Sequence, residues 1–521
     1  METRVLIIGG GATGTGIARD LSLRGIPCVV VEKEDLNAGA SGANHGLLHS
    51  GARYIESDPA AAEECREEGM LLKGLAPQCI EDTGGLFIAV QGDDENYIAD
   101  FQNRCRACGI SSEAVDVAVA GEMEPGLSNK VIAAFKVEDA AIDPFRLTLE
   151  NMADAIARGA VLLRHKRVVK FHRQGRAITA ASVLDAKSGE ETRIEAELVI
   201  NASGAWTGQV AEMVGVKIAM VYSKGTLLVS QNRIADRVIN RLRRPSDGDI
   251  LVPGGVVSIV GTTSSRIDSP DDIAPDIDEA DAIIRESAKM IPSILSERFI
   301  RAYSGVRPLL GTEKGQEDRT ISRGFALIDH SANDLDNFIT ITGGKLTTYR
   351  LMAEKTSDLA CVKLKVNEPC RTGAAPLPDT GNGRWTEPRL SSKVWMAENK
   401  PGDTLLCECE MVSTGTIDSI IQSLTKHNLV PDLNSIGLRS RLGKGPCQGT
   451  FCSAGLAAYL YDKGMLTDEE GLSSIKRFLR ERWRGRHPIL TGETLTRVDL
   501  LEAIYCGVAG LELEGDAGQD A

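Results

Sequence analysis

The feature that most constrains the fold is the glycine-rich turn near the start of the chain. The apolar residues 5–8 predict a strand, and they lead into Gly9-Gly10-Gly11-Ala12-Thr13-Gly14, a Gly-x-Gly-x-x-Gly turn. Apolar residues at helical spacing follow, and a second predicted strand, Cys28–Val31, ends on Glu32. Strand, turn, helix, strand and acid in this order are typical of a βαβ unit that binds a dinucleotide.

Each residue of this fingerprint has a separate predicted role. Gly9 permits the tight turn, and Gly11 lets backbone N–H groups approach a pyrophosphate at the positive end of the helix. Gly14 allows the helix and the strand to pack closely. Glu32 accepts hydrogen bonds from the adenosine ribose hydroxyls, which argues against a 2′-phosphate on the ligand.

Length and charge narrow the class of protein further. A chain of 521 residues is expected to form two to four domains. Its net charge of −14 argues against nucleic acid or an anionic membrane as a bulk partner. The chain contains no apolar run long enough to span a bilayer, and it enters the first strand without a signal segment. We therefore expect a cytoplasmic protein, with any membrane attachment peripheral, and we expect its twelve cysteines not to form a disulfide framework.

The pattern along the chain predicts three units. Valine- and isoleucine-rich strands separated by turn residues predict an antiparallel sheet inserted between pieces of the nucleotide domain. A stretch rich in proline and glycine, residues 372–388, predicts a linker, and the residues after 401 have their own cysteine pattern. The predicted ranges are about 1–75, 140–215 and 315–370 for the nucleotide part, about 76–139 and 216–314 for the substrate part (together 1–370), 371–400 for the linker, and 401–521 for a small helical domain with an acidic tail.

A second polar loop lies close to the predicted dinucleotide site. Residues 40–54 combine small residues with His45, His49, Arg53 and Tyr54. The small residues keep the backbone near the cofactor, and a loop of this composition beside a dinucleotide site favours function over a plain polar surface.

Five strings resemble the FAD-dependent glycerol-3-phosphate dehydrogenases, in particular the catalytic subunits of the anaerobic, three-subunit type. The strings are distributed over the first 365 residues, and those at 45–54 and 341–350 are the specific ones. The strings are GGGATG at 9–14, HGLLHSGARY at 45–54, DPFRLT at 143–148, SGVRP at 304–308 and ITGGKLTTYR at 341–350. The resemblance implies an α/β fold similar to D-amino-acid oxidase, with a Rossmann-type FAD-binding domain and an inserted antiparallel substrate domain.

The resemblance also implies the chemistry and its residues. Oxidation of sn-glycerol 3-phosphate to dihydroxyacetone phosphate sends a hydride to flavin N5 and removes the hydroxyl proton. A phosphate dianion requires several cations, and Arg53, Arg307 and Lys345 match the family positions. Aerobic relatives have a histidine in the segment 248–253, where this chain has Asp249. The proton acceptor therefore stays open among His49, Tyr54 and Asp249.

The implied FAD site includes the fingerprint residues and several loop residues. We expect FAD to be bound without a covalent link. The expected cofactor-binding residues are Gly9, Gly11, Gly14, Glu32, Ser41, Gly42, His49, Val168, Gly204, Gly343, Gly344, Leu346 and Thr347.

The cysteine pattern near the C-terminus predicts a metal centre. Cys407-x-Cys409 and Cys447-x₄-Cys452 flank a predicted helix over 416–427, and four thiolates can ligate a [2Fe–2S] cluster. The spacing resembles that of the bacterioferritin-associated-ferredoxin-like [2Fe–2S] domain. A zinc site is the alternative, since four cysteines also suit Zn²⁺. Four unrelated buried thiols are the third interpretation.

The sequence is consistent with three functions. The first is glycerol 3-phosphate oxidation, with electrons passing through the cluster to two partner subunits, one for electron transfer and one an iron–sulfur membrane anchor, and finally to a quinone. This arrangement implies a peripheral position on the inner face of the cell membrane. The second function is oxidation of a 2-hydroxy acid or an amino acid, whose carboxylate needs one arginine rather than three cations. The third is a non-catalytic electron-transfer subunit, which the intact fingerprint argues against.

Overall fold

The computed structural model describes residues 1–271, 273–311, 324–379, 395–397 and 400–511. The strands in these ranges are β1 (Glu2–Ile8), β2 (Cys28–Val31), β3 (Leu47–Leu48), β4 (Ile80–Glu81), β5 (Gly85–Val90), β6 (Ser112–Val115), β7 (Val131–Val137), β8 (Ala140–Ile142), β9 (Val161–Leu163), β10 (Lys166–Gln174), β11 (Ala177–Asp185), β12 (Glu191–Asn201), β13 (Met220–Ser230), β14 (Val238–Arg241), β15 (Ile250–Gly254), β16 (Val257–Gly261), β17 (Ser265–Ile267), β18 (Phe299–Leu310), β19 (Phe325–Asp329), β20 (Phe338–Gly343), β21 (Leu405–Cys407) and β22 (Val412–Ser413).

Helices pack on both sheets and form most of the C-terminal unit. They are α1 (Ala12–Leu23), α2 (Pro59–Leu75), α3 (Glu95–Ala107), α4 (Val117–Met123), α5 (Pro144–Ala157), α6 (Thr207–Glu212), α7 (Ile277–Ser287), α8 (Tyr349–Leu364), α9 (Thr414–Lys426), α10 (Leu433–Ser440), α11 (Cys452–Asp462), α12 (Asp468–Trp483) and α13 (Glu493–Ala509).

The first sheet has a parallel centre in the order β20-β12-β1-β2-β9. Ile7 of β1 lies opposite both Ile200 and Val30, and all three side chains are buried. Strands buried on both faces read as continuous apolar runs, which is why residues 5–8 and 28–31 are recognisable in the sequence. Helices α1, α5 and α8 pack on one face. The carboxyl ends of these strands therefore meet at one edge, beside the glycine-rich turn.

The second sheet is built from the two predicted substrate segments. Its order is β17-β13-β16-β15-β14-β5-β7-β6, with β18 also paired to β13. The pairings are antiparallel except between β5 and β14, which come from different segments and run parallel. Strand β18 lies along β13 with Gly225 opposite Gly305 and Ser223 opposite Arg307. This pairing carries Arg307 to the boundary between the two sheets.

The C-terminal unit is a small helical domain with one short hairpin. Its core forms around buried Ile417, Leu456 and Phe478, and the hairpin β21–β22 carries Cys407. The predicted helix over 416–427 is α9, whose start is capped by Ser413. Residues 312–323, most of the predicted linker (380–394 and 398–399) and the predicted tail from 512 lie outside the described residues. The domain boundaries stay predictions.

The C-terminal unit contacts the rest of the chain through charged pairs and one backbone bond. Asp35 accepts hydrogen bonds from Arg164 and, at 3.0 Å, from Arg439 Nη1. The Ala302 N–H of β18 donates to the Gly485 carbonyl at 2.6 Å. Among the helices of the described ranges, none is long and apolar enough to cross a membrane.

Candidate active site

A cavity of about 750 Å³ lies where the two sheets meet, a size typical of ligand-binding pockets. It contains most of the predicted site residues from both halves of the chain. Those that line it are Gly9, Gly11, Glu32, Ser41, His49, Arg53, Tyr54, Val168, Gly204, Arg307, Gly343, Gly344, Lys345, Leu346 and Thr347. Gly14, Gly42 and Asp249 are not among its lining residues.

The glycine-rich turn has the geometry of a phosphate cradle. Gly9 has φ +112°, and a Cβ there would lie 2.5 Å from the Ala202 carbonyl oxygen. Helix α1 begins immediately after Gly11, so its free N–H groups face the cavity. Ser41 Oγ accepts from the Ala12 N–H at 2.9 Å and brings the following loop against the turn. A dinucleotide pyrophosphate fits this arrangement.

Glu32 lies at the end of β2, as predicted for a ribose acceptor. Its Oε2 accepts from the Gly10 N–H at 2.6 Å and its Oε1 from the Glu34 N–H at 2.9 Å. Burial raises the pKa of Glu32, and these two backbone hydrogen bonds oppose that effect. Carboxylate oxygens accept more than one hydrogen bond, so both remain available to ribose hydroxyls.

Two predicted cofactor glycines lie behind the cavity and permit close backbone packing, the role predicted for Gly14. A Cβ on Gly14 would lie 2.0 Å from the Gly9 carbonyl oxygen, and one on Gly42 would lie 2.2 Å from the Asn37 carbonyl oxygen. Both glycines therefore let backbone segments approach each other behind the cavity. They shape the site without lining it.

Arg53 and Arg307 reach the cavity from different elements. Arg307 Nη2 donates to Thr262 Oγ1 and to the Thr263 carbonyl, both at 3.1 Å, and Nη1 donates to Ser223 Oγ at 3.3 Å. Arg53 Nη2 lies 3.4 Å from Asp249 Oδ2, and its side chain is only 9% exposed. The two guanidinium groups are held by neighbouring strands, so they can bind an anion without first being ordered.

Lys345 lies against the loop that contains His49 and Tyr54. Its Nζ is 4.7 Å from the centroid of the Tyr54 ring, and that ring stacks on His49 at 5.0 Å. The His49 N–H donates to Thr347 Oγ1 at 3.3 Å. The two most specific strings of the sequence are thus in direct contact at the cavity wall.

Two histidines in this cavity are held in the neutral form. Burial, followed by the positive charges of Arg307 and Arg53, lowers the pKa of His45 to about 3. Burial, then Lys345 and Arg53, lowers the pKa of His49 well below its usual value. A neutral imidazole can accept a proton, and these cations would attract the oxygen anion that a deprotonated substrate forms.

Asp249 lies behind the cavity wall. It is buried, and its carboxylate pairs with Arg53 and, at 2.8 Å, with Arg243. A carboxylate that pairs with two guanidinium groups holds both of them in place. The position therefore suits alignment of Arg53.

The structure adds one loop histidine that the sequence gave no specific role, together with two residues that the sequence did not single out. His45 lines the cavity, and its Nε2 is buried without a hydrogen-bond partner. Asn240 accepts from Arg53 Nη1 at 3.5 Å and donates to buried Asp139 at 2.9 Å. His45 is visible in the family string at 45–54, whereas Asn240 and Asp139 carry no local signal because only strand pairing brings them to Arg53.

The four predicted metal-ligating cysteines are brought together in the C-terminal unit. Cys407 contacts Cys409 and Cys452, Cys447 contacts the same two thiols, and Cys409 Sγ lies 3.9 Å from Cys447 Sγ. Cys407 and Cys452 are buried, while Cys409 is exposed. Hydrogen bonds among the thiols lower the pKa of Cys407 and of Cys447 and raise the pKa of Cys409 and of Cys452, with further N–H donation from the loop backbone to the first two.

These contacts give each thiol two thiol neighbours. Across the described ranges, no three His, Cys, Asp or Glu side chains are placed to hold one metal ion. A single tetrahedral ion needs all four sulfurs around one point, whereas each iron of a [2Fe–2S] cluster takes two thiolates. Four clustered thiols are a donor set that suits either a [2Fe–2S] cluster or a zinc ion. The other eight cysteines form no disulfide, and Cys105 and Cys108 lie in an apolar core.

Comparison with known proteins identifies the family of this chain. The family described as FAD dependent oxidoreductase matches residues 4–359. The A subunit of anaerobic glycerol-3-phosphate dehydrogenase from Escherichia coli strain K12 is 42% identical, covering 98% of this chain and 97% of that protein. The protein of the same name from Haemophilus influenzae is 41% identical, covering 98% and 94%.

A solved structure shows the same architecture. Glycerol-3-phosphate dehydrogenase from Bacillus halodurans, complexed with FAD, superposes with a TM-score of 0.63 at 22% identity, covering 94% of this chain and 96% of that one. This likeness confirms the predicted fold class. The chain belongs to the FAD-dependent oxidoreductase family and, within it, to the family of anaerobic glycerol-3-phosphate dehydrogenase A subunits.

Proposed function

We propose that this protein is an FAD-dependent dehydrogenase of sn-glycerol 3-phosphate, which it oxidises to dihydroxyacetone phosphate. The observation that carries the proposal is the cavity itself, in which three cations and two neutral histidines adjoin the dinucleotide turn. Three cations from separate segments suit a phosphate dianion, while a carboxylate substrate needs fewer. The names of the relatives agree with this substrate.

Within this proposal the chain's residues have distinct tasks. Bound FAD would supply the hydride acceptor. Arg53, Arg307 and Lys345 bind the phosphate, with Asp249 aligning Arg53. His49 is the proposed acceptor of the hydroxyl proton, because its imidazole is neutral and lines the cavity.

The proposed route of the electrons leads through the C-terminal unit. A [2Fe–2S] centre on Cys407, Cys409, Cys447 and Cys452 receives electrons one at a time and passes them to partner subunits and a quinone. The support is the pairwise contact of the thiols and the exposure of Cys409, which leaves one sulfur open to an acceptor. The relatives are named as one subunit of their enzyme, which agrees with the presence of other subunits. We propose a cytoplasmic protein that reaches the inner face of the membrane through those subunits.

An anaerobic titration tests the activity. Glycerol 3-phosphate should bleach the flavin absorbance of the purified protein at substoichiometric to stoichiometric amounts, and lactate or an amino acid should not. Bleaching by a carboxylate substrate alone would assign the second candidate function. Absence of bleaching by all of them, with FAD bound, would leave only an electron-transfer role.

Metal analysis tests the electron route separately. We expect two irons for each chain and no zinc, with an EPR signal on reduction. Cys447→Ser should remove that signal and leave flavin bleaching intact. One zinc and no iron would make the C-terminal unit structural.

A further inference from the structure

Glu279 is a buried carboxylate behind the wall of the cavity. It belongs to α7, where its neighbours Ala280 and Ile283 pack in the apolar core of the second sheet. Burial of a carboxylate is unfavourable unless hydrogen bonds and a cation compensate for the lost water. The compensating donors are Thr226 Oγ1 at 2.5 Å and Lys224 Nζ at 3.0 Å to Oε2, and Thr263 Oγ1 at 3.0 Å and Ser265 Oγ at 3.1 Å to Oε1.

Thr263 connects this carboxylate to the cavity. Its Oγ1 donates to Glu279 and accepts from the Thr226 N–H at 3.0 Å, so the direction of the hydroxyl group is defined. Its carbonyl accepts from Arg307 Nη2 at 3.1 Å, and both Thr263 and Arg307 line the cavity. Glu279 therefore reaches Arg307 through a single residue, Thr263.

The same carboxylate joins the two parts of the chain that hold Arg307. One part is β13, which contributes Ser223 to Arg307 and whose Thr226 donates to Glu279. The other part is the segment 262–265, which leads from β16 into β17 and contributes the remaining acceptors. A shift of this segment relative to β13 would separate the two sets of acceptors, so the bonds to Glu279 fix the direction of the guanidinium.

We propose that Glu279 is a positioning residue for substrate binding, which fixes Thr263 and thereby holds the Arg307 guanidinium toward the substrate phosphate. This inference rests on the proposed function, in which Arg307 contacts the phosphate. An ordered guanidinium binds an anion without the entropic cost of being immobilised. The phosphate contact is made in the bound substrate and in the transition state alike, so its loss raises KM more than it lowers kcat.

Steady-state kinetics of the full-length, FAD-loaded protein test this inference. Glu279→Gln keeps the shape of the side chain but has only one acceptor oxygen, and it should raise KM about tenfold with kcat and FAD content within about twofold of wild type. Thr263→Val removes the linking hydroxyl and should also raise KM, whereas Thr263→Ser keeps the hydroxyl and should raise it less. Asp281→Asn, which removes a carboxylate from an exposed position of α7, is the matched control and should leave KM unchanged.

A second substitution separates positioning from a general structural effect. In the Arg307→Ala background, Glu279→Gln should cause no further rise in KM, because the guanidinium that it positions is absent. An equal rise in both backgrounds overturns the proposal, as does an unchanged KM in the folded single variants. If Glu279→Gln does not fold, Thr263→Val undergoes the same two tests.

Two further results would also decide against the inference. Failure of both Glu279→Gln and Thr263→Val to fold would assign the hydrogen bonds to stability alone. The proposed function is judged separately, by flavin bleaching of the wild-type protein with glycerol 3-phosphate. Without that bleaching both the function and this inference fail, whereas bleaching with unchanged KM values leaves the function standing.

Discussion

At the scale of single residues, the site combines fixed cations with neutral proton acceptors. The cations are held by side chains on or next to strands: Arg307 by Ser223 and Thr262, and Arg53 by Asp249. Because these cations adjoin the two histidines, they disfavour a second positive charge on either imidazole. In the proposed function, the same charges bind the phosphate and keep His49 neutral.

Arg307→Ala should weaken substrate binding while leaving FAD binding intact. The change removes a charge-assisted contact to phosphate, worth about 1.5–3 kcal/mol, which corresponds to roughly a 10- to 100-fold higher KM. Steady-state kinetics with measured flavin content provide the check. Arg307→Lys keeps the charge, so its KM should lie between those of wild type and Arg307→Ala. If Arg307→Ala has the same KM as wild type, Arg307 does not contribute to substrate binding.

His49→Gln should lower kcat by about 10²- to 10⁴-fold, the usual contribution of a general base. Tyr54→Phe keeps the ring that stacks on His49 and supports Lys345, so it should stay within a few-fold of wild type. The rate of flavin reduction in both variants can be measured by rapid mixing. An equal loss in the two variants would instead implicate the Tyr54 hydroxyl.

The pH dependence of kcat gives a second check on His49. A base must be unprotonated, and the pKa of His49 is lowered well below 6.5 by burial and by Lys345 and Arg53. Activity therefore persists as the pH falls through 6.5 and declines only below it. An acid limb in wild type with its midpoint at or above pH 6.5 would contradict this environment.

At the scale of elements, the close pairing of β13 and β18 positions Arg307. Gly225 and Gly305 lie opposite each other in this pairing. A Cβ on Gly225 would lie 2.4 Å from Arg307 Nη2, and one on Gly305 would lie 2.2 Å from the Ala43 carbonyl oxygen. The two glycines let the guanidinium lie across β13 and let the loop at 40–54 approach β18.

Gly305→Ala should push this loop away from β18 and lower both stability and kcat/KM. Overpacking of this kind costs about 1–3 kcal/mol. Gly121→Ala in α4 is the control, because no atom lies within 4 Å of its Cβ position, and it should be neutral or slightly stabilising. Urea unfolding and steady-state kinetics of the two variants test the difference; identical behaviour would mean that the contact with Ala43 is unimportant.

At the scale of the whole molecule, the C-terminal unit is held against the nucleotide sheet. Asp35, just after β2, bridges Arg164 and Arg439, whose side chains are almost completely buried. Lys187 and Asp432 form a second link at 3.2 Å. These ion pairs and the backbone hydrogen bond at Gly485 hold the thiol site beside the elements that form the cavity.

Asp35→Ala should loosen this docking, since it leaves two buried guanidinium groups without a carboxylate. The expected loss is about 2–5 kcal/mol, as for truncation of a buried charge pair. In this variant, substrate should still bleach the flavin, but the cluster should be reduced more slowly. Rapid mixing followed by EPR measures the rate of cluster reduction. Glu197→Gln, which removes an exposed pair with Arg4, is the control and should change neither.

The ion pairs of Asp35 also predict that the C-terminal unit detaches at low pH. Burial alone would raise the pKa of Asp35, but Arg439 and Arg164 outweigh it and lower the pKa to about 2. A carboxylate with a lowered pKa stabilises the folded state fully above its unfolded value of about 3.9, and this contribution disappears as the pH falls toward 2. Proteolysis of the C-terminal unit as a function of pH should show wild type, but not Asp35→Ala, becoming more susceptible in that window.

The sequence by itself determined the parts of this protein that depend on local pattern. The turn at 9–14 and the strands on either side of it were readable because a doubly buried strand is continuously apolar and because the turn requires glycine at fixed positions. The four cysteines were readable from their spacing. The family strings named Arg53, Arg307 and Lys345, residues from three distant segments that line one cavity in the folded chain.

Only the tertiary structure decided what each site residue faces. Asp249 lies behind the cavity because strands β14 and β15 place it between Arg53 and Arg243, and Gly14 and Gly42 serve backbone packing. Asn240 gained its significance from a contact with Asp139, 101 residues away along the chain. Sequence spacing specifies local conformation, whereas burial, charge pairing and direction toward a cavity arise from segments that meet only when the chain has folded.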